Sequence, residues 1–162
     1  MPDFIRILRS LTEEGVEYAL VGGFAACLYG NRRSTVDLDI CVAIEPTNLL
    51  RLANAIQPFQ PRLRPGGPLI RLDDKPLGGS FSRIYTVHGQ IDVLQRLAGP
   101  WSTTDIIARA ERITIGDFEV RIASLNDLIV LKEAAARPHD LEDASNLRYI
   151  LESRSSQGPP RP

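Results

Sequence analysis

Apolar and polar positions along this chain repeat at two periods, 3.6 and 2, and the switches between them mark out its elements. Phe4, Ile5, Leu8 and Leu11 recur at helical spacing and Gly15 ends the run, which predicts a helix over 3–14. The apolar run Tyr18 to Val21 reads as a buried strand (17–21). Gly22-Gly23 then opens a short apolar helix (23–29). Residues 37–43 alternate as a strand, and a helix is expected from about Thr47 to Ile56. Between residues 58 and 80, five prolines and four glycines predict irregular chain, with one short strand around Leu69 to Leu72. Strands at 84–87 and 91–94, a helix at 104–112 and a hairpin of 113–115 with 118–122 about Gly116-Asp117 follow. Ser124 with Asp127 three residues on marks a helix start. Pro138 divides the remainder into helices at 124–136 and 139–152. The Ser/Pro-rich residues 153–162 read as a disordered tail, which leaves 1–152 as one domain.

Composition narrows the partners. With 162 residues and 43% hydrophobic content the chain can bury one core. A net charge of -1 supplies no basic field for strong non-specific nucleic-acid binding. Cys27 and Cys41 lie in apolar runs, and His88 and His139 are isolated, so no zinc site is indicated. No signal peptide or membrane-length apolar run is visible, and a cytoplasmic protein without membrane attachment is expected.

The chemistry concentrates between Val21 and Val42. On a strand, residues i and i+2 share a face, so Asp37 and Asp39 stand side by side while Leu38 and Ile40 point the other way. Two such carboxylates repel unless one stays protonated or a cation joins them. Mg²⁺ binds through one or two carboxylates plus substrate phosphates. Gly22 and Gly23 let the backbone approach a ligand, and the following helix N-terminus offers free N–H groups to phosphate oxygens. Alone, an Asp-x-Asp is as readily a solvated loop start; the glycine pair ahead of it favours the metal–nucleotide reading.

Gly22-Gly23, thirteen intervening residues, and Asp37-Leu38-Asp39-Ile40 flanked by Arg33 and Thr35 together resemble the signature of the nucleotidyltransferase superfamily. The R-x-T-x-D-x-D form is most similar to the AbiEii-like toxins and the small "minimal" nucleotidyltransferases, and aminoglycoside and lincosamide nucleotidyltransferases share the same opening. The resemblance implies an α/β (α+β) fold, a mixed β-sheet flanked by helices with further helices at the C-terminus. It also implies a third carboxylate on a later strand. Asp92, alone between Ile91 and Val93, fits that place, although periodicity by itself suits a solvent-facing residue equally well. Asp73 and Asp74 are weaker candidates in the Gly/Pro-rich stretch.

Near the C-terminus, Lys132, Arg137, Asp140 and Asp143 form a K-x4-R-x2-D-x2-D pattern. Singly these residues suit a surface lysine and an acidic helix start. The resemblance implies that Lys132 contacts the triphosphate and that Asp140 and Asp143 position it or the acceptor. The expected activity is transfer of an NMP from an NTP such as ATP to a hydroxyl, with Asp37, Asp39 and Asp92 holding Mg²⁺ or Mn²⁺ and Gly22, Gly23, Arg33 and Thr35 at the nucleotide. The acceptor is left open between tRNA, protein and small molecule, with Arg32, Arg62, Arg64, Arg71, Lys75 and Arg83 as the cations a polyanionic acceptor would meet. A toxin paired with an antitoxin is one setting. A catalytically silent binding module and an antibiotic-modifying enzyme are the alternatives.

Overall fold

The computed structural model describes residues 2–32, 34–72, 77 and 79–156. Arg33, Asp73, Asp74, Lys75 and the last six residues of the expected tail lie outside them. Helix α1 (Phe4–Glu13) leads to β1 (Tyr18–Leu20), α2 (Gly22–Tyr29), β2 (Asp37–Val42) and α3 (Pro46–Ile56). The hairpin β3 (Phe81–Thr86) and β4 (Gly89–Leu94) follows, then α4 (Thr103–Arg109), the hairpin β5 (Glu111–Ile115) and β6 (Phe118–Ile122), and the helices α5 (Leu125–Ala135) and α6 (Pro138–Ser156).

All six strands join one mixed sheet in the order β3-β4-β2-β1-β6-β5. The decisive pairing is β2 with β4, parallel, in a register that sets Asp37 against Gln90 and Asp39 against Asp92. Antiparallel β3 then sets Arg83 against Asp92. Because side chains alternate between faces, Leu38, Ile40, Ile91 and Val93 turn away from these polar residues, and all four are fully buried. α1 packs on α3 and β6, while α5 packs on α6 and both pack on α2. Asp3 caps α1 by accepting from the Arg6 N–H at 3.3 Å, and Ser124 caps α5 by accepting from the Asp127 N–H at 3.1 Å. Ser102 and Asp105 form a reciprocal capping box on α4. Among the described residues no helix is long and apolar enough to cross a membrane. No disulfide links Cys27 and Cys41.

The α/β class and the order of elements agree with the sequence reading, with four local corrections. Leu69 to Leu72 is not a strand: the Gln57 side chain donates to the Ile70 carbonyl at 3.1 Å and accepts from the Leu72 N–H at 2.9 Å, taking the place of a neighbouring strand. Glu111 and Arg112 belong to β5 rather than to the preceding helix, because they pair with Ile122 and Arg121. β3 begins at Phe81, which brings Arg83 into the sheet. Residues 153–156 continue α6 instead of opening a tail. There Ser153, Ser155 and Ser156 turn their hydroxyls back to the carbonyls of Tyr149, Leu151 and Glu152 at 2.8 to 3.0 Å, so serines that suggest a break are absorbed by the helix.

Candidate active site

The strand β1 ends at Leu20, and the chain turns sharply at Gly22, with φ of +65°, into α2. A Cβ on Gly22 would lie 2.0 Å from Asp39 Oδ2, so glycine is required both by the backbone angle and by the carboxylate pressed against it. A Cβ on Gly23 would lie 2.9 Å from Thr35 Oγ1. The Thr35 hydroxyl donates to Asp37 Oδ1 at 3.0 Å, tying the loop before β2 to the first carboxylate. The Gly23 N–H donates to Asp39. The start of α2 thus faces the carboxylates directly. Its N-cap residue, Val21, makes no side-chain bond to it, and apart from the Gly23 N–H the first-turn N–H groups face the cleft.

Asp37, Asp39 and Asp92 line a cleft of about 340 Å³ with Gly22, Gly23, Thr35 and Arg83. Lys132, Arg137, His139 and Asp140, from α5 and the start of α6, close its other side. Burial above all, and then the charges of Asp37 and Asp92, push Asp39 up to about 6; the Gly23 N–H and the Lys132 charge oppose the shift.

Asp92 is 4% exposed and fully engaged. Arg83 donates from Nε to Oδ1 at 2.9 Å and from Nη2 to Oδ2 at 2.8 Å, and Gln90 adds a bond to Oδ1 at 3.1 Å. Lys132 is likewise held, its Nζ 2.8 Å from both Asp140 Oδ1 and Asp143 Oδ2. Behind it Asn31 donates to Asp143 Oδ1 at 2.8 Å, and Asn146 donates to Asn31 at 3.2 Å. Arg137 Nε stands 3.3 Å from the second oxygen of Asp140, at the rim.

The structure therefore gathers Asp37, Asp39, Asp92, Gly22, Gly23, Thr35, Lys132 and Asp140 about one cleft. Asp143 does not line it; this buried carboxylate fixes Lys132 from behind. Asn31 and Gln90 were not anticipated. The signal for Gln90 was present, since it precedes Asp92 by one strand period, whereas nothing local to Asn31 points to a partner 112 residues away.

The donor set suits a hard divalent ion: carboxylate oxygens only, on one face of two adjacent strands spaced roughly 4.8 Å apart. Burial and then the charges of Asp37 and Asp92 raise Asp39, and a cation would offset both by neutralising the carboxylates. Yet among the described residues no group of three His, Cys, Asp or Glu is arranged to hold a metal ion. Two carboxylates together with substrate phosphates suffice for Mg²⁺, and both oxygens of Asp92 are occupied by a guanidinium.

Comparison with known proteins places this geometry. The fold is that of the nucleotidyltransferases. The lincomycin-bound lincosamide antibiotic adenylyltransferase LnuA aligns with a TM-score of 0.63 over 91% of this chain and 95% of its own, at 13% identity. ANT(2'')-Ia in complex with adenylyl-2''-tobramycin aligns at 0.54 over 95% of each chain, at 14% identity. A candidate nucleotidyltransferase from Thermotoga maritima aligns at 0.54 over 93% and 91%, at 16% identity. Residues 88–157 match a family model described as a nucleotidyl transferase of unknown function, DUF2204; the stretch includes Asp92, Lys132, Asp140 and Asp143. No curated protein sequence matches the chain. The chain thus shares the fold of these nucleotidyltransferases, and its residues 88–157 resemble that family.

Proposed function

We propose that the chain is a divalent-metal-dependent nucleotidyltransferase that moves an NMP from an NTP to a hydroxyl acceptor. One observation carries this reading: Asp37 and Asp39 stand beside Asp92 in register on parallel strands, directly beneath the Gly22-Gly23 turn and the open N-terminus of α2. A bound Mg²⁺ or Mn²⁺ would supply charge neutralisation at the phosphates and a template for in-line displacement. Asp37 and Asp39 would hold it, with Asp92 as the third ligand. The N–H groups of α2 would take the β- and γ-phosphates, Thr35 would orient Asp37, and Lys132, fixed by Asp140 and Asp143, would face the nucleotide. The acceptor oxygen would form a bond to the α-phosphorus as the bond to the bridging α–β oxygen breaks, pyrophosphate would leave, and the hydroxyl proton would pass to water, because both oxygens of Asp92 are already engaged. Arg33 has no described position and enters on motif resemblance alone, as do a toxin role and an antitoxin partner.

The structural neighbours favour a small acceptor. LnuA carries lincomycin and ANT(2'')-Ia an adenylylated tobramycin, and this chain aligns with at least 95% of each. A small hydroxyl-bearing molecule is thus the preferred acceptor class, ahead of tRNA or protein. The test is incubation of the full chain with α-labelled NTPs, Mg²⁺ and a fractionated cell extract. Label should appear in the small-molecule fraction together with pyrophosphate, and the Asp37→Asn/Asp39→Asn double variant should release none. Undiminished turnover in that variant refutes the site; label confined to RNA or protein refutes the acceptor class.

A further inference from the structure

Asp92 faces two incompatible partners. As the third carboxylate of the cleft it stands across from Asp39, the place where a bridging cation would sit, yet its lone pairs already accept the two-pronged guanidinium of Arg83 and the amide of Gln90. A second pair in the molecule has the same forked form and shows what differs. Arg109 binds Asp127 at 3.2 and 2.8 Å, but Asp127 also accepts from Ser124 at the start of α5, and neither residue lines the cleft. That fork completes a helix terminus. Asp92 caps nothing, and among the described residues its side-chain acceptor bonds are those that a cation would have to replace.

Arg83 is placed to yield. It lies on β3, one of the two edge strands of the sheet. Its side chain is 46% exposed while that of Asp92 is 6% exposed, and its guanidinium sits 5.5 Å above the Phe81 ring at the cleft wall. A guanidinium leaving Asp92 regains solvent or meets incoming phosphates, whereas Asp92 has nowhere to go. The other charged groups in the cleft leave this conflict in place: Asp37 and Asp39 add negative charge, Lys132 is committed to Asp140 and Asp143, and Arg137 and His139 flank Asp140.

We propose that Arg83 is a built-in counter-cation for Asp92, holding the third carboxylate in place until a divalent ion arrives and giving up at least one of its oxygens when the ion binds. The proposal rests on the metal-dependent reading above. Arg83 therefore sets the metal affinity of the site as a positioning residue, and the guanidinium it frees turns toward the phosphates.

Mn²⁺ titration of the full chain without nucleotide, following unbound Mn²⁺ by electron paramagnetic resonance, tests this without reference to turnover. Arg83→Met should bind Mn²⁺ about tenfold more tightly than wild type, the scale on which one adjacent charge shifts an ionic equilibrium. In the Asp92→Asn background the same substitution should bring no gain. Melting followed by circular dichroism confirms that each variant is folded; if Arg83→Met does not fold, Arg83→Gln, which keeps one donor for Asp92, carries the same comparison. Unchanged or weaker binding in the folded Arg83 variant, with Asp39→Asn abolishing binding, overturns the counter-cation role and leaves nucleotidyl transfer standing. A gain that persists without Asp92 overturns it as well. If neither wild type nor the Arg83 variant binds Mn²⁺, both readings fall.

Discussion

Replacing Asp39 by Asn should stabilise the metal-free protein at neutral pH while removing its metal site. Asp39 is pushed up to about 6 from the ordinary aspartate value of 3.8, first by burial and then by Asp37 and Asp92. Between those two pH values the folded state holds a proton that the unfolded state has lost. Stability therefore falls as pH rises through this window, and above it the buried charge is carried at full cost. A shift of about two pH units corresponds to roughly 3 kcal/mol, and partial solvent access at the cleft reduces this to about 1–2 kcal/mol. Asn keeps the shape and an acceptor for the Gly23 N–H but carries no charge. In urea denaturation with EDTA, wild type and variant should agree near pH 4 and diverge through pH 6, with the variant about 1–2 kcal/mol more stable at pH 7.5. Saturating Mn²⁺ should reverse the order, since ligand at one hundred times its dissociation constant stabilises only the chain that binds it, by about 2.7 kcal/mol. A variant no more stable than wild type at pH 7.5 in EDTA would refute the claim that these carboxylates are held against their own repulsion.

Gly22→Ala should cost at least about 1–3 kcal/mol and abolish nucleotide binding, because the positive φ and the 2.0 Å approach to Asp39 Oδ2 cannot both survive a methyl group; thermal melts with and without NTP measure both effects. Lys132→Met should lower stability by about 3–5 kcal/mol, read from the urea midpoint, since it strands Asp140 and Asp143, whose side chains are 6% and 3% exposed. Ser102→Ala should lose about 1 kcal/mol of stability through its capping box and leave NMP transfer unaltered, because Ser102 and Asp105 do not line the cleft.

What could be read from the sequence followed from local periodicity. Asp37-Leu38-Asp39 declares its faces by a period of two, and Gly22-Gly23 between an apolar strand and an apolar helix declares a turn that needs positive φ. Asp92 was singled out by the family resemblance, because periodicity alone suited a solvent-facing residue equally well. Its state was not legible. The guanidinium that occupies it comes from β3, whose start the Gly- and Ser-containing residues 79–82 conceal, and only the antiparallel register of that hairpin sets Arg83 opposite Asp92. The role of Asp143 was hidden for a related reason: on α6 it shares a face with Asp140, but the packing of α6 against α2 sends it to Asn31 and the rear of Lys132. Gln57 and the closing serines misled because side-chain bonds to the backbone imitate a strand partner in one case and extend a helix in the other.

Charge in the cleft is arranged, not merely concentrated. Cations stand on both flanks, and each is already committed: Arg83 to Asp92 on the sheet side, Lys132 to Asp140 and Asp143 on the helical side. Between them Asp37 and Asp39 have no cationic partner within salt-bridge distance among the described residues. The centre is thus negative even though basic residues surround it, and burial amplifies the effect, as the elevated Asp39 records. A free triphosphate entering such a cleft would meet like charge at its floor, offset among the described residues chiefly by the N–H groups of α2 and by Arg137 at the rim. The same triphosphate carrying a divalent ion brings the missing positive charge to the place the carboxylates leave for it, and gives Arg83 new oxygens in exchange for those it surrenders. Metal and nucleotide should therefore bind as a pair, each strengthening the other, with the arginine as the element through which that coupling passes.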